Sequence, residues 1–285
     1  MATKKKEPTK MSDVVVEDVE YGQAGDVPLL ARLYRPRGAS GFPAIVDVHG
    51  GAWTGGDRLQ NAAMHDVIAS AGTAVLALDF RLAPASPYPA SVSDVNLGIR
   101  WLKANIARWG GDATRIGGLG SSSGGHQLLL NVLRPEDPRY TATKLADAED
   151  VDARLAYVVL CWPISDPLAR YQMAQQTGNE RLVRNHQAFF VSEAAMIEAN
   201  PQRILESAAP FDLPPALLIQ GTADANVTPD MADRLAAAYA NAGGDIILKK
   251  FEGEPHTFIS QNPAKPASIE AMYLITDFIR TQNRL

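Results

Sequence analysis

The chain has 285 residues, 46% of them hydrophobic and 21% charged. That apolar share supports one large core and excludes disordered, collagen-like and repetitive architectures. With 27 Lys and Arg against 32 Asp and Glu the net charge is −5, the wrong sign for a general nucleic-acid binder.

Lys4, Lys5, Lys6 and Lys10 open the chain, but no apolar stretch follows, because Val14, Val15 and Val16 run into Glu17 and Asp18. Residues 1–12 therefore read as a disordered basic tail, not a secretory signal. No run approaches 18 apolar residues, so no spanning helix is predicted and a soluble, cytoplasmic protein is expected. Residues 14–21 and 29–35 read as two strands parted by a turn at Gly25-Asp26, and 44–48 (AIVDV) as a short strand ending in His49-Gly50-Gly51. Met64, Val67, Ile68 and Ala71 recur at i, i+3, i+4, i+7 and predict a helix over 61–71, stopped by Gly72. Residues 73–80 (TAVLALDF) form another buried strand.

A capping-box-like Ser91-Val92-Ser93-Asp94 opens a helix to about residue 108, with Val92, Val95, Ile99, Leu102 and Ile106 facing inward. Gly110-Gly111 ends it. Residues 115–120 are a short strand feeding the Gly/Ser cluster at 120–125, and a helix to about residue 133 follows. The runs 157–162 (YVVLCW), 216–220 (ALLIQ) and 245–251 are the next three strands. Cys161, in the first of them, is the lone cysteine, which rules out an intramolecular disulfide and a cysteine-based zinc site. Thr228 followed by Pro229 starts a helix that Gly243-Gly244 ends. The last helix covers about 267–282. Strand–helix alternation after two early strands predicts a mostly parallel sheet with helices on both faces. There is no internal repeat and no linker, so 13–285 reads as one domain. The long, helix-prone stretch 165–210 breaks the rhythm, as surface helices or as a lid over a pocket.

Gly120-Ser121-Ser122-Ser123-Gly124 fits G-x-S-x-G, a sharp strand-to-helix turn that needs small neighbours around an exposed serine. Only Ser122 has glycines at both −2 and +2. Of the five histidines, only His256 follows the last strand, where a base for that serine belongs; it lies in Glu254-Pro255-His256-Thr257-Phe258. His65 reads as a surface or packing residue, His126 as packing or hydrogen-bonding near the turn, and His186, within the 165–210 stretch, as an exposed structural position, with contact to substrate as the alternative. Asp224, immediately past the ALLIQ strand, is the candidate that orients the base, with Asp230, Glu252 and Glu254 as rivals. The order Ser122, Asp224, His256 is that expected of an α/β-hydrolase. His49-Gly50-Gly51-Ala52-Trp53 supplies adjacent glycines, so the amides of Gly51, Ala52 and Ser123 are candidate donors to a developing oxyanion, each contributing roughly 3–4 kcal/mol.

Taken in order, HGGAW, Asp79-Phe80-Arg81-Leu82-Ala83-Pro84 with Tyr88-Pro89-Ala90 and Asp94, Gly110-Gly111-Asp112, GSSSGG, GTAD and PHTF resemble the hormone-sensitive-lipase-like esterases of the α/β-hydrolase superfamily, over about residues 14–280. The resemblance implies a mostly parallel eight-stranded sheet, carboxylic-ester hydrolysis through a Ser-His-Asp triad, and no cofactor or metal. Ala52 stands where that family commonly has a third glycine, and Ser123 where it commonly has alanine. HGGAW and the run from Ser122 to His126 also resemble the arylformamidase and small acyl-esterase branch, which leaves ester and formamide substrates both open. A prolyl-oligopeptidase-type peptidase has no room for its propeller, and a non-catalytic receptor should lack a triad member. Trp53, Tyr88, Trp162, Phe189, Phe190 and Phe258 are candidate pocket walls, with plain core packing as the competing reading. A small-molecule ester is the expected partner, with neither nucleic acid nor membrane; oligomeric state is open, a homodimer included.

Overall fold

Two long strands start the fold: β1 (Val14–Ala24) and β2 (Val27–Pro36) form an antiparallel hairpin turned at Gly25, whose φ of 63° suits glycine. A computed structural model describes residues 12–145, 148–207, 211–228 and 230–283. Residues 1–11 of the expected tail, Pro229 and the end of the helix-prone stretch at 208–210 lie outside the described residues. Ser12, the last residue of that tail, donates its amide to Ser70 O at 2.9 Å.

The chain then adds β3 (Phe42–Val48), β4 (Ala74–Leu78), β5 (Gly111–Ser121), β6 (Val158–Cys161), β7 (Ala216–Gly221) and β8 (Ile246–Phe251). Among the described residues they form one eight-stranded sheet in the order β1-β2-β4-β3-β5-β6-β7-β8. β2 meets β4 antiparallel, and every pairing from β4 to β8 is parallel. Strands β4, β6 and β7 are buried along their whole length, as parallel strands covered on both faces must be.

Alternate residues feed two cores. Val46, Leu76, Leu160 and Leu218 point to one side, where α2 (Ala90–Asn105), α3 (Ser123–Leu133) and α8 (Met231–Asn241) bring Leu102, Leu128 and Leu235. Ile45, Val75, Val159 and Ile219 point to the other, against Ile68 of α1 (Ala62–Ser70) and Ile275 and Ile279 of α10 (Pro266–Gln282). Each such side chain stabilises the fold by about 1.5–3 kcal/mol.

Between β6 and β7 the chain leaves the sheet for four helices: α4 (Pro167–Gln176), α5 (Glu180–Phe190), α6 (Glu193–Glu198) and α7 (Pro201–Leu205). Each is capped by the residue before it, because Asp166, Asn179, Ser192 and Asn200 accept from the amides of Ala169, Leu182, Ala195 and Arg203. Asp166 does more than cap. Its carboxylate also accepts from Asn200 Nδ2 and from Arg234 Nη2 on α8, both at 2.8 Å. The first and last helices of this insertion therefore meet at one carboxylate.

Boundaries shift where pairing overrides local signals. β5 starts at Gly111 rather than 115, since Gly111 pairs with Phe42. α8 starts at Met231, later than Thr228 signals, because Thr228 O accepts from Met231 N and closes a turn first. A short helix α9 (Phe258–Gln261) follows the last strand. Among the described residues no helix is long and apolar enough to cross a membrane.

Candidate active site

The parallel strands β3, β5, β7 and β8 all point their C-terminal ends the same way, and four loops meet there. β5 delivers Ser122 at φ 53° and ψ −120°, a conformation costly for a residue with a Cβ. Three backbone bonds hold it: Ser122 N donates to Cys161 O at 2.9 Å, and Ser122 O accepts from His126 N and Ile164 N at 3.2 Å. The flanking glycines are required by contact. A Cβ on Gly124 would lie 2.0 Å from Val48 O, and one on Gly120 2.9 Å from Gly125 Cα.

Ser122 Oγ lies 2.9 Å from His256 Nε2, and His256 Nδ1 lies 2.7 Å from Asp224 Oδ2. Gly221 lets the two loops approach, since a Cβ there would lie 2.2 Å from Glu254 O. Asp224 is buried, which works against its ionisation. The hydrogen bond from His256, with those from the Asn226 amide and the Gln220 side chain, outweighs that and holds the carboxyl below the usual carboxylate range. With Nδ1 donating to a carboxylate, Nε2 is free to take the Ser122 proton. The rivals stand elsewhere. Asp230 pairs loosely with Arg234 at 3.9 Å, Glu254 pairs with Lys265 at 2.6 Å, and Glu252 is exposed.

The loop after β3 runs left-handed through Gly51, Ala52 and Trp53, with φ of 117°, 51° and 64°. A Cβ on Gly51 would lie 1.9 Å from Gly55 O, so that position takes only glycine. A Cβ on Gly50 would lie 3.2 Å from Ser122 Cβ, which measures how near the loop passes. Among the described residues the amides of Gly51, Ala52 and Ser123 donate to no backbone carbonyl. Trp53 N donates to Ser123 Oγ at 3.3 Å and ties this loop to the residue after Ser122.

Of the six candidate wall residues, Trp53, Trp162, Phe189, Phe190 and Phe258 are closed off, at 2% exposure or less; Tyr88 is half-buried. Trp53 stacks on Phe189 (5.1 Å, 7°), and Trp162 packs against His256 and Phe258. These rings brace the site from behind. Tyr88 Oη bonds to Tyr140 Oη and to Glu198 of α6, both at 2.8 Å.

His186 corrects the sequence reading: it is fully buried, its Nδ1 donating to Leu182 O at 2.7 Å and its ring against Trp53. Leu182, His186, Phe189 and Phe190 form an i, i+4, i+7, i+8 stripe, the signal that marks it as inward. His65 is packing, not surface: it bonds Asp47 at 2.9 Å, and Asn61 links that pair to Ser121 Oγ at 3.2 Å. Arg170 carried no sequence signal beyond a cation on the buried stripe of α4. It is 1% exposed, donates to Asn226 O at 2.7 Å and to Asn226 Oδ1, and lies over the Trp53 ring. Burial lowers its pKa to about 9. Among the described residues no group of three or more His, Cys, Asp or Glu is placed to hold a metal ion.

The BD-FAE family model matches residues 32–239. Esterase LipC of Mycobacterium tuberculosis is 31% identical over 218 residues, which cover 72% of this chain and 51% of that protein. Carboxylesterase NlhH of the same organism is 34% identical over 125 residues, 42% of this chain and 38% of that one. The chain thus spans about half, or less, of the length of these curated relatives. Among solved structures, esterase B from Lactobacillus rhamnosis superposes with a TM-score of 0.79 at 24% identity, covering 95% of this chain and 88% of its own. The Pyrobaculum calidifontis esterase gives 0.77 at 24%, covering 94% and 86%.

Proposed function

The chain belongs to the BD-FAE family and has the α/β-hydrolase fold, and from that premise we propose that it is a serine carboxylesterase acting on small-molecule esters of small to medium acyl chain. The observation that carries this reading is the unbroken relay from Ser122 Oγ through His256 to Asp224, at 2.9 and 2.7 Å. Ser122 Oγ attacks the ester carbonyl while its proton passes to His256 Nε2, and Asp224 stabilises the imidazolium. The amides of Gly51, Ala52 and Ser123 receive the negative charge on the carbonyl oxygen. Collapse expels the alcohol, which takes the proton from His256, and leaves an acyl group on Ser122. Water then attacks that carbonyl with His256 again as base, releasing the acid. No step requires a metal or cofactor. Residues 13–285 act as one domain, with α4–α7 as its lid. The lone, buried Cys161 suits a reducing compartment such as the cytoplasm.

A panel of p-nitrophenyl esters of increasing acyl length, run beside N-formylkynurenine, tests the reading. Turnover confined to the shorter esters supports it. Preference for the formamide moves the same machinery to C–N cleavage, and inertness toward every substrate in the panel removes it.

A further inference from the structure

Both N–H groups of Trp53 are used inside the protein. The backbone one goes to Ser123 Oγ, and the indole Nε1–H donates to His126 Nδ1 at 3.2 Å. An indole nitrogen is a donor only, so Nδ1 must be the unprotonated, accepting nitrogen of His126. The ring proton then sits on Nε2, which donates to Ala199 O at 2.8 Å, at the C-terminal end of α6. Burial keeps this imidazole neutral down to about pH 4. A continuous set of buried contacts therefore runs from the insertion, through one ring on α3, to the left-handed loop that carries Gly51 and Ala52.

We infer that His126 is a positioning residue: it fixes the Trp53 indole, and through it the amides of Gly51 and Ala52, in step with docking of the insertion. The inference rests on the esterase reading above. An imidazole suits the task because one rigid ring accepts on one side and donates on the other. Positive φ at Ala52 and Trp53 persists only where packing over-determines it. An indole without its acceptor can turn, and the loop amides then leave the place where the oxyanion forms.

Three substitutions separate the two bonds. His126→Asn sets an acceptor near the position of Nδ1 but cannot reach Ala199. His126→Gln reaches Ala199 and leaves the indole unpaired, and His126→Phe keeps the ring and loses both bonds. On a p-nitrophenyl ester, His126→Gln and His126→Phe should lower kcat by about 10–100-fold with KM little changed, within the range for a misplaced oxyanion donor. His126→Asn should recover most of the kcat lost in His126→Phe and show its defect in KM instead. Trp53→Phe should match His126→Gln, and the double variant should lose no more than either single one. A trifluoromethyl ketone, which forms a tetrahedral adduct with the serine, should bind more weakly in proportion to the loss of kcat/KM. If His126→Phe fails to fold, the Asn and Gln variants still decide. Equal kcat in Asn and Gln variants, or wild-type kcat in His126→Gln, overturns the inference. Ser122→Ala runs in parallel: its retained activity would defeat the esterase reading itself, whereas an inactive Ser122→Ala beside a fully active His126→Gln removes only the role of His126.

Discussion

Three consecutive serines stand at the turn, and their surroundings separate them. Ser121 Oγ accepts from Asn61 and Ser123 Oγ from Trp53 N, both in buried positions, while Ser122 Oγ faces His256. Ser122→Ala should therefore cut kcat by about 10⁶-fold with an unchanged melting temperature. An organophosphate should label Ser122 alone, and labelled Ser121 or Ser123 in a peptide map would refute the assignment. At the acid position, an amide in place of Asp224 would offer N–H groups to donors that already point at it from His256, Gln220 and Asn226. Asp224→Asn should lower kcat by about 10⁴-fold, through the wrong imidazole tautomer. Asp230→Asn breaks only a loose surface pair worth under about 1 kcal/mol, so saturating-substrate rates of the two variants should differ by orders of magnitude. Ser122, His256 and Asp224 were legible in the sequence because each closely follows the end of a strand-forming run and each loop carries glycine or proline. His126 and Arg170 were not legible as parts of the site, since their partners lie far along the chain: Trp53 and Ala199 are each 73 residues from His126, and Asn226 is 56 from Arg170.

At the scale of elements, the central strands were legible because strands covered on both faces are written as continuous apolar runs. The helices of the insertion were not placed one by one, although Asp166-Pro167, Asn179, Ser192 and Asn200-Pro201 are start signals of the ordinary kind; α6 and α7, at six and five residues, are too short to show a period, whereas α5 carries the inward stripe described above. What holds α6 down is a charge cluster: Glu198 accepts from Tyr88 Oη and Arg139 Nη2, both at 2.8 Å, and from Arg134. Glu198 is about one-third exposed, so water screens these pairs and the whole molecule should lose little stability without them. Glu198→Ala should instead act locally. Limited proteolysis within 167–205 should speed up several-fold while the melting temperature moves by only a degree or two. A large drop in melting temperature with unchanged cleavage would place the cluster in global folding instead.

For the whole molecule, the buried histidines set an acid limit. Burial lowers the pKa of His126 to about 4 and that of His186 to about 3, against 6.5 for the free side chain. The unfolded chain takes up protons below pH 6.5 that the folded one refuses, so stability is fully present above 6.5 and is lost as pH falls toward 4. Each histidine costs at most about 1.4 kcal/mol per pH unit over that interval. Thermal melts at pH 7, 6, 5 and 4 should show a steepening fall before carboxylates begin to protonate, and a flat profile down to pH 4.5 would contradict it. The carboxylate of Asp166 has a consequence of another kind. It gathers the start of α4, the cap of α7 and Arg234 of α8 at one point, so the segment that leaves the sheet returns to the place it left. A loop whose two ends are pinned together can change length at little entropic cost, roughly 0.6 kcal/mol per doubling. The segment between those pins can thus change length at low entropic cost, provided it keeps the aspartate and asparagine at the pin and still presents the arginine that reaches Asn226, the ring that stacks on Trp53 and a carbonyl for His126.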